Sequence, residues 1–185
     1  MDVMTAILTR RSEQTLLAPA PGEEEFVYLL RGAATFLDHG LPRPWRWILL
    51  RGEDRPAPAE RVARQALATA CPNGSALPQA PLLAALVLDP HADPAVPEEE
   101  QEAAANAMTH ALMLLLHSRG YSSLWRTGHL PAGGPAAAAL GLNRSERLVG
   151  ALSIGTPDTG RPLARRALAD VEDRVSAFPS PAPTG

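Results

Sequence analysis

The chain has 185 residues, 17 basic and 20 acidic, for a formal net charge of −3. That length suits one domain with a sizeable core, and the mixed charge leaves no basic footprint for nucleic acid. The single cysteine, Cys71, excludes a disulfide framework and a cysteine-rich metal centre.

Asp2 is placed to cap a short helix through Met4, Ile7 and Leu8, which ends near Arg10-Arg11-Ser12. Two guanidinium forks and a hydroxyl at such an edge suit a phosphate, although arginine pairs are also commonly just solvated. No signal peptide is visible, because Arg10-Arg11 follow the first apolar stretch instead of preceding it, so a cytoplasmic protein is expected.

After the Pro19 and Pro21-Gly22 loop, Glu23-Glu24-Glu25 start a second helix. It carries Phe26, Leu29, Leu30, Ala33 and Leu37 at helical spacing and stops at Asp38-His39-Gly40. Leu41-Pro42-Arg43-Pro44 is a stiff loop, since residues before proline are driven out of the helical region. Trp45 to Leu50 reads as the first strand.

Ala59 to Ala70 fits a third helix, closed by Cys71 and the Pro72-Asn73-Gly74 turn. A lone cysteine there is a small hydrophobe before it is a nucleophile. Ala80 to Leu88 is a continuous apolar run of the kind found in a buried strand. Asp89, His91 and Asp93 alternate as metal ligands do, but no glycine or glutamate completes a calcium loop, and no metal is expected.

Glu98 to Ser118 is the longest periodic segment, uninterrupted by proline or glycine until Gly120. Acidic residues open it, and His117 and Arg119 lie at the end where cations suit the helix dipole. It is apolar over most of its circumference near Leu112 to Leu116, as a central or interfacial helix is. Asn106, Thr109 and His110 break the run before it reaches membrane-spanning length. Tyr121 to Gly128 follows as a compact turn or a possible strand.

Pro135 to Leu140 fits a short helix ended by Gly141. Arg147 to Ile154 has strand character and closes on Gly155-Thr156-Pro157. Leu163 to Phe178 fits a final amphipathic helix, and 179–185 a disordered tail. The order predicts an α/β or α+β domain, helices covering a sheet, over 1–178. GxGxxG after a strand, GxxxxGK[ST], GxSxG and HExxH are all absent. The residues alone therefore describe a soluble domain with cationic and aromatic loop residues at three separated places.

Those three places together resemble the nitroreductase family of flavoproteins, and above all its small single-domain members. They are Arg10-Arg11-Ser12; the loop Asp38 to Trp47 with its Pro44-Trp45; and Gly120-Tyr121-Ser122-Ser123-Leu124-Trp125-Arg126-Thr127-Gly128, joined to Glu146 to Gly150 and Gly155-Thr156-Pro157. The likeness spans roughly residues 4 to 165.

The resemblance implies a three-layer α+β fold with a central, mainly antiparallel sheet. It also implies an obligate homodimer with two FMN sites, each lined by both subunits. FMN would be the cofactor, NADH or NADPH the donor, and a nitroaromatic, quinone or related small molecule the acceptor, in ping-pong order. The flavin carries that chemistry, so no catalytic side chain is expected.

By the same resemblance the cofactor-binding residues are Arg10, Arg11, Ser12, His39, Arg43, Ser122, Ser123, Leu124, Trp125, Arg126 and Arg161. Arg10, Ser12 and Arg161 would serve the phosphate end, backbone donors of 122–125 the ring, and Trp125 the acceptor pocket. The chain departs from the family at Gly40, where a serine or other polar residue is frequent. It departs again at Arg43, usually glutamine or asparagine, and at Gln14, where a further arginine is usual. An Arg43 pointing inward would stabilise a reduced, anionic ring. The alternative is a nitroreductase-like flavin-binding or cofactor-free interaction protein without reductase activity.

Overall fold

Asp2 starts the first helix as its residue type predicts. Its carboxylate accepts from the Thr5 N–H at 3.0 Å and the Thr5 hydroxyl at 2.6 Å, and α1 runs Val3–Thr9. The structure, a computed structural model, describes residues 1–35, 43–51, 57–71, 80–92, 95–130, 133–158 and 164–178. The expected continuation of the second helix to Leu37, the stop at Asp38-His39-Gly40, His39, Arg161 and the tail 179–185 lie outside them. In chain order after α1 come β1 (Leu16–Leu17), α2 (Glu23–Ala33), β2 (Trp45–Arg51), α3 (Pro58–Ala70) and β3 (Leu82–Leu88). Then follow α4 (Glu98–Ser118), β4 (Ser122–Thr127), α5 (Pro135–Ala139), β5 (Arg147–Pro157) and a 3-10 turn at Glu172–Arg174.

The sheet has the order β1-β5-β3-β2, with β4 also on β5. Every strand pair is antiparallel. β5 is long enough to share one edge between two partners: β4 pairs with Gly150 to Gly155, and β1 with Thr156 and Pro157. β3 is apolar without alternation because both its faces are covered. Leu82, Ala84, Leu86 and Leu88 join Phe26 and Leu29 of α2 and Met108, Leu112 and Leu116 of α4 in one core. Leu83 and Ala85 join Ala63 and Leu67 of α3, with Leu140, in the other. This is the α+β arrangement expected, with helices on both faces of an antiparallel sheet.

Two expectations need correction and a third is resolved. Trp45 to Leu50 is not the first strand: Leu16–Leu17 precedes it, too short to show any alternation. Tyr121 to Gly128, expected as a turn or a possible strand, is the strand: it contains β4, fully paired to β5. The turn is earlier and tighter. Gly120, at φ +89°, closes α4: its N–H donates to His117 O at 3.0 Å, and Tyr121 N–H to Leu116 O at 3.0 Å. Finally, the described part of the expected last helix, 164–178, holds one 3-10 turn and no α-helix. Every residue in it is exposed, including Leu168, Val171, Val175 and Phe178. An amphipathic segment whose apolar face meets nothing lacks the packing that stabilises most protein helices.

Ion pairs fix the end of the sheet where β2 begins. Arg46 holds Glu146 in a fork, Nε to Oε1 at 2.5 Å and Nη2 to Oε2 at 2.9 Å. Glu146 also accepts the Asn143 N–H at 2.9 Å. Its carboxyl is held below the usual carboxylate range, first by Arg46. Arg147 reaches Glu98 and Glu102 at the start of α4. Among the described residues no helix is long and apolar enough to cross a membrane.

Candidate anion and cofactor site

The opposite end of the sheet is built differently. After Thr9 the chain runs Arg10-Arg11-Ser12 alongside β4, and Ser12 forms a parallel bridge to Ser123. The tight reversal at Gly120 makes this possible, because it brings the C-terminal end of α4 and the start of β4 to the same place. There His117 Nε2 meets the Thr9 hydroxyl at 2.8 Å, and both residues are buried. The segment beyond β5 also returns here. Arg166 N–H donates to Leu8 O at 2.9 Å, and Arg11 Nη2 donates to Ala164 O at 2.6 Å. Arg11 Nη1 donates to Leu8 O at 2.9 Å, and Arg10 Nη1 to Ser12 Oγ at 3.4 Å.

Arg10, Arg11 and Arg166 thus gather at one corner, and none forms an ion pair among the described residues. Arg10 shows the consequence. Burial, then Arg166 and Arg11, push its guanidinium below the usual arginine value. His117 responds alike: burial, then Arg10 and Arg11, lower its pKa from the ordinary 6.5. Like charges held together, with no carboxylate between them among the described residues, are a donor set that suits an anion.

β4 supplies the second half. Its inner edge pairs with β5; on its outer edge the only described pairing is the Ser12 bridge. The Ser122, Ser123 and Leu124 side chains are buried, so the strand presents backbone groups along that edge. Alternation sends Trp125 and Arg126 to opposite faces. Trp125 lies half-buried against the α2–α4 core, its ring across Gly150, where a Cβ would stand 2.6 Å from the indole. Arg126 is buried on the other face, where its charge bears on Cys71. Burial pushes the Cys71 thiol up to about 11, which makes it a neutral core group.

The structure therefore brings Arg10, Arg11 and Ser12 together with Ser122, Ser123 and Leu124. Within one chain it does not bring Arg43 to them. Arg43 is exposed ahead of β2, at the end where Trp45 pairs with Leu88, whereas Ser123 pairs with Ile154 at the other. β2 is also three strand spacings from β4, about 14 Å. Asp89 accepts from the Ser145 hydroxyl, and the His91 backbone is held by Gln101. Sequence reasoning missed Thr9, His117 and Arg166. Arg165-Arg166 repeats the Arg10-Arg11 pattern, but its place over α1 depends on a return of the chain that no local pattern announces.

The groups present fit a flavin mononucleotide: guanidiniums for the phosphate beside an open row of backbone donors for the ring. A model of the nitroreductase family matches residues 7–156. The chain is 28% identical over 163 residues to "Putative NAD(P)H nitroreductase YdjA" of Escherichia coli (strain K12), covering 85% of this chain and 89% of that one. Its fold is shared with a nitroreductase-like family protein from Bacillus cereus, with a TM-score of 0.72, 21% identity and 97% of each chain covered. It is also shared with an FMN-dependent nitroreductase from Clostridium difficile R20291, with a TM-score of 0.67, 16% identity, and 96% of this chain and 99% of that one covered. With the family model matching residues 7–156, from within α1 to within β5, this chain belongs to the nitroreductase family.

Proposed function

We propose that this protein is an FMN-dependent NAD(P)H oxidoreductase that reduces small nitroaromatic, quinone or related acceptors. The observation that carries the reading is the cluster Arg10, Arg11 and Arg166, with no carboxylate partner among the described residues, beside the open edge of β4. The names of the relatives point the same way, since the E. coli protein is named for NAD(P)H and the Clostridium structure for FMN.

FMN would supply the redox chemistry by taking hydride from a nicotinamide and passing reducing equivalents to the acceptor. The protein's part is binding and orientation. Arg10, Arg11 and Ser12 hold the phosphate end, with Arg161 as a further donor. The outward backbone groups of 122–125 face the ring, where they stabilise negative charge. Trp125, fixed across Gly150, walls the acceptor side.

The working unit is a homodimer. Val3, Met4 and Ile7 of α1, and Leu168, Val171, Val175 and Phe178 of the segment that returns to α1, are exposed apolar residues for a partner to cover. Arg43 reaches a site from the partner, since Arg43 of the same chain starts at the far end of the sheet.

The test is direct. Protein purified with FMN is yellow, and anaerobic NADH or NADPH bleaches it. A colourless protein that takes up no added FMN contradicts the reading. Uptake without bleaching by either nucleotide selects the second reading, a flavin-binding protein without reductase activity. What favours that reading is Arg43, a charge where the family usually offers an amide.

A further inference from the structure

The contact between α1 and α4 carries a consequence for this site. Thr9 Oγ1 has one hydrogen and donates it to the Thr5 carbonyl at 2.7 Å, as threonine in a helix commonly does. It therefore meets His117 as an acceptor, and the imidazole Nε2–H is the donor at 2.8 Å. This bond ties the last residue of α1, immediately before Arg10, to the last turn of α4, five residues before Ser122. The two strands of chain that form the site leave from its two ends.

We propose that His117 is the positioning residue of this site: its bond to Thr9 holds Arg10, Arg11 and Ser12 against β4, and binding of a phosphate-bearing flavin there draws a proton onto the imidazole. The inference rests on the FMN reading above. The charged groups acting on His117 are Arg10 and Arg11, from the end of α1; Arg166, from the returning C-terminal segment, acts on Arg10. No carboxylate is among them. Without an anion the burial and these cations disfavour the charged ring. A phosphate placed on the guanidiniums brings negative charge and offsets their repulsion, so the imidazole gains basicity. By linkage, what raises proton affinity on binding also raises phosphate affinity as the pH falls.

The experiment compares wild type, His117→Gln and His117→Leu. Glutamine places a donor near the Nε2 position without titrating; leucine removes it. FMN binding is measured by calorimetry at about pH 6 and pH 8, which bracket the ordinary histidine range. Buffers of different ionisation enthalpy give the protons exchanged, and riboflavin serves as the ligand without phosphate. The expected result is that His117→Gln binds FMN at pH 8 within about twofold of wild type. His117→Leu binds about fivefold more weakly at both pH values, the size of one hydrogen bond. At pH 6 wild type takes up more protons with FMN than His117→Gln does, and riboflavin shows no such difference. The ionisation of the FMN phosphate itself is common to both proteins and cancels in that comparison. Wild type that binds FMN with the same proton exchange as His117→Gln overturns the coupling. His117→Leu, confirmed folded by its melting curve and binding like wild type, overturns the positioning role. Wild type that takes up no FMN contradicts the oxidoreductase reading, and this inference with it.

Discussion

Arginines occupy both ends of this sheet, and they do opposite things. At the β2 end, Arg46 and Arg147 each close on carboxylates: Glu146 for one, Glu98 and Glu102 for the other. There the charges tie β2 to the turn before β5, and β5 to the start of α4. At the β4 end, the Arg10 and Arg11 guanidiniums donate to backbone carbonyls and a serine, Arg166 is held by its backbone N–H, and no described carboxylate answers the three. A paired arginine is part of the fold. Unpaired arginines held close together cost the fold some repulsion, and a bound anion is what removes it.

The contrast can be attacked from several sides. The largest stability effect should come from the support of the β4 edge. A Cβ at Gly150 would stand 2.6 Å from the Trp125 ring, and another backbone oxygen is closer still. Gly150→Ala should cost about 3 kcal/mol by urea denaturation, as overpacking against backbone does, and should disturb any flavin site with it. Glu146→Gln comes next. It breaks the fork to Arg46 at the opposite end, and because Arg46 is 42% exposed the loss should be only about 2 kcal/mol. FMN affinity should be unchanged in this variant; a loss there would mean that the two ends are not separate. A smaller effect follows from His117. Its folded pKa lies below 6.5, so the unfolded chain binds a proton that the native chain refuses. Stability should therefore fall as the pH drops below about 6.5 until the folded ring also titrates, and the His117→Gln protein should show less of that fall. The smallest effect is chemical: the buried Cys71 thiol, raised to about 11, should stay unlabelled by a thiol reagent in native protein and react only on unfolding.

What could be read in the sequence follows the same division. Asp2 as a cap, Glu98 to Ser118 as the long helix, and the apolar run of β3 depend on local pattern, and all three are in the structure. Arg10-Arg11-Ser12 and Ser122 to Leu124 were legible as site candidates through family likeness, and the fold brings them to one edge. β1 was not legible, because two leucines have no period. β4 could be read only as a turn or a possible strand, because its short run depends on the long strand β5 for every inner-edge partner. The last helix was expected from a pattern whose apolar face meets nothing among the described residues, so 164–178 holds only a 3-10 turn and touches Arg11 and α1 through Ala164 and Arg166. His117 looked like a helix-end cation suited to the dipole. Burial beside two arginines lowers its pKa instead, and its ring bonds to the Thr9 hydroxyl.

The central claim is that the unpaired arginine cluster holds the phosphate of FMN. Its most direct test is a fluorescence titration of apoprotein with FMN, wild type against Arg10→Ala. Arg10→Ala should fold with at least wild-type stability and bind FMN more weakly by about 1.5–3 kcal/mol, the range for a charge-assisted hydrogen bond. Riboflavin affinity should not change. Equal FMN affinity in the two proteins would remove Arg10 from the site, and no saturable FMN binding by wild type would contradict the account.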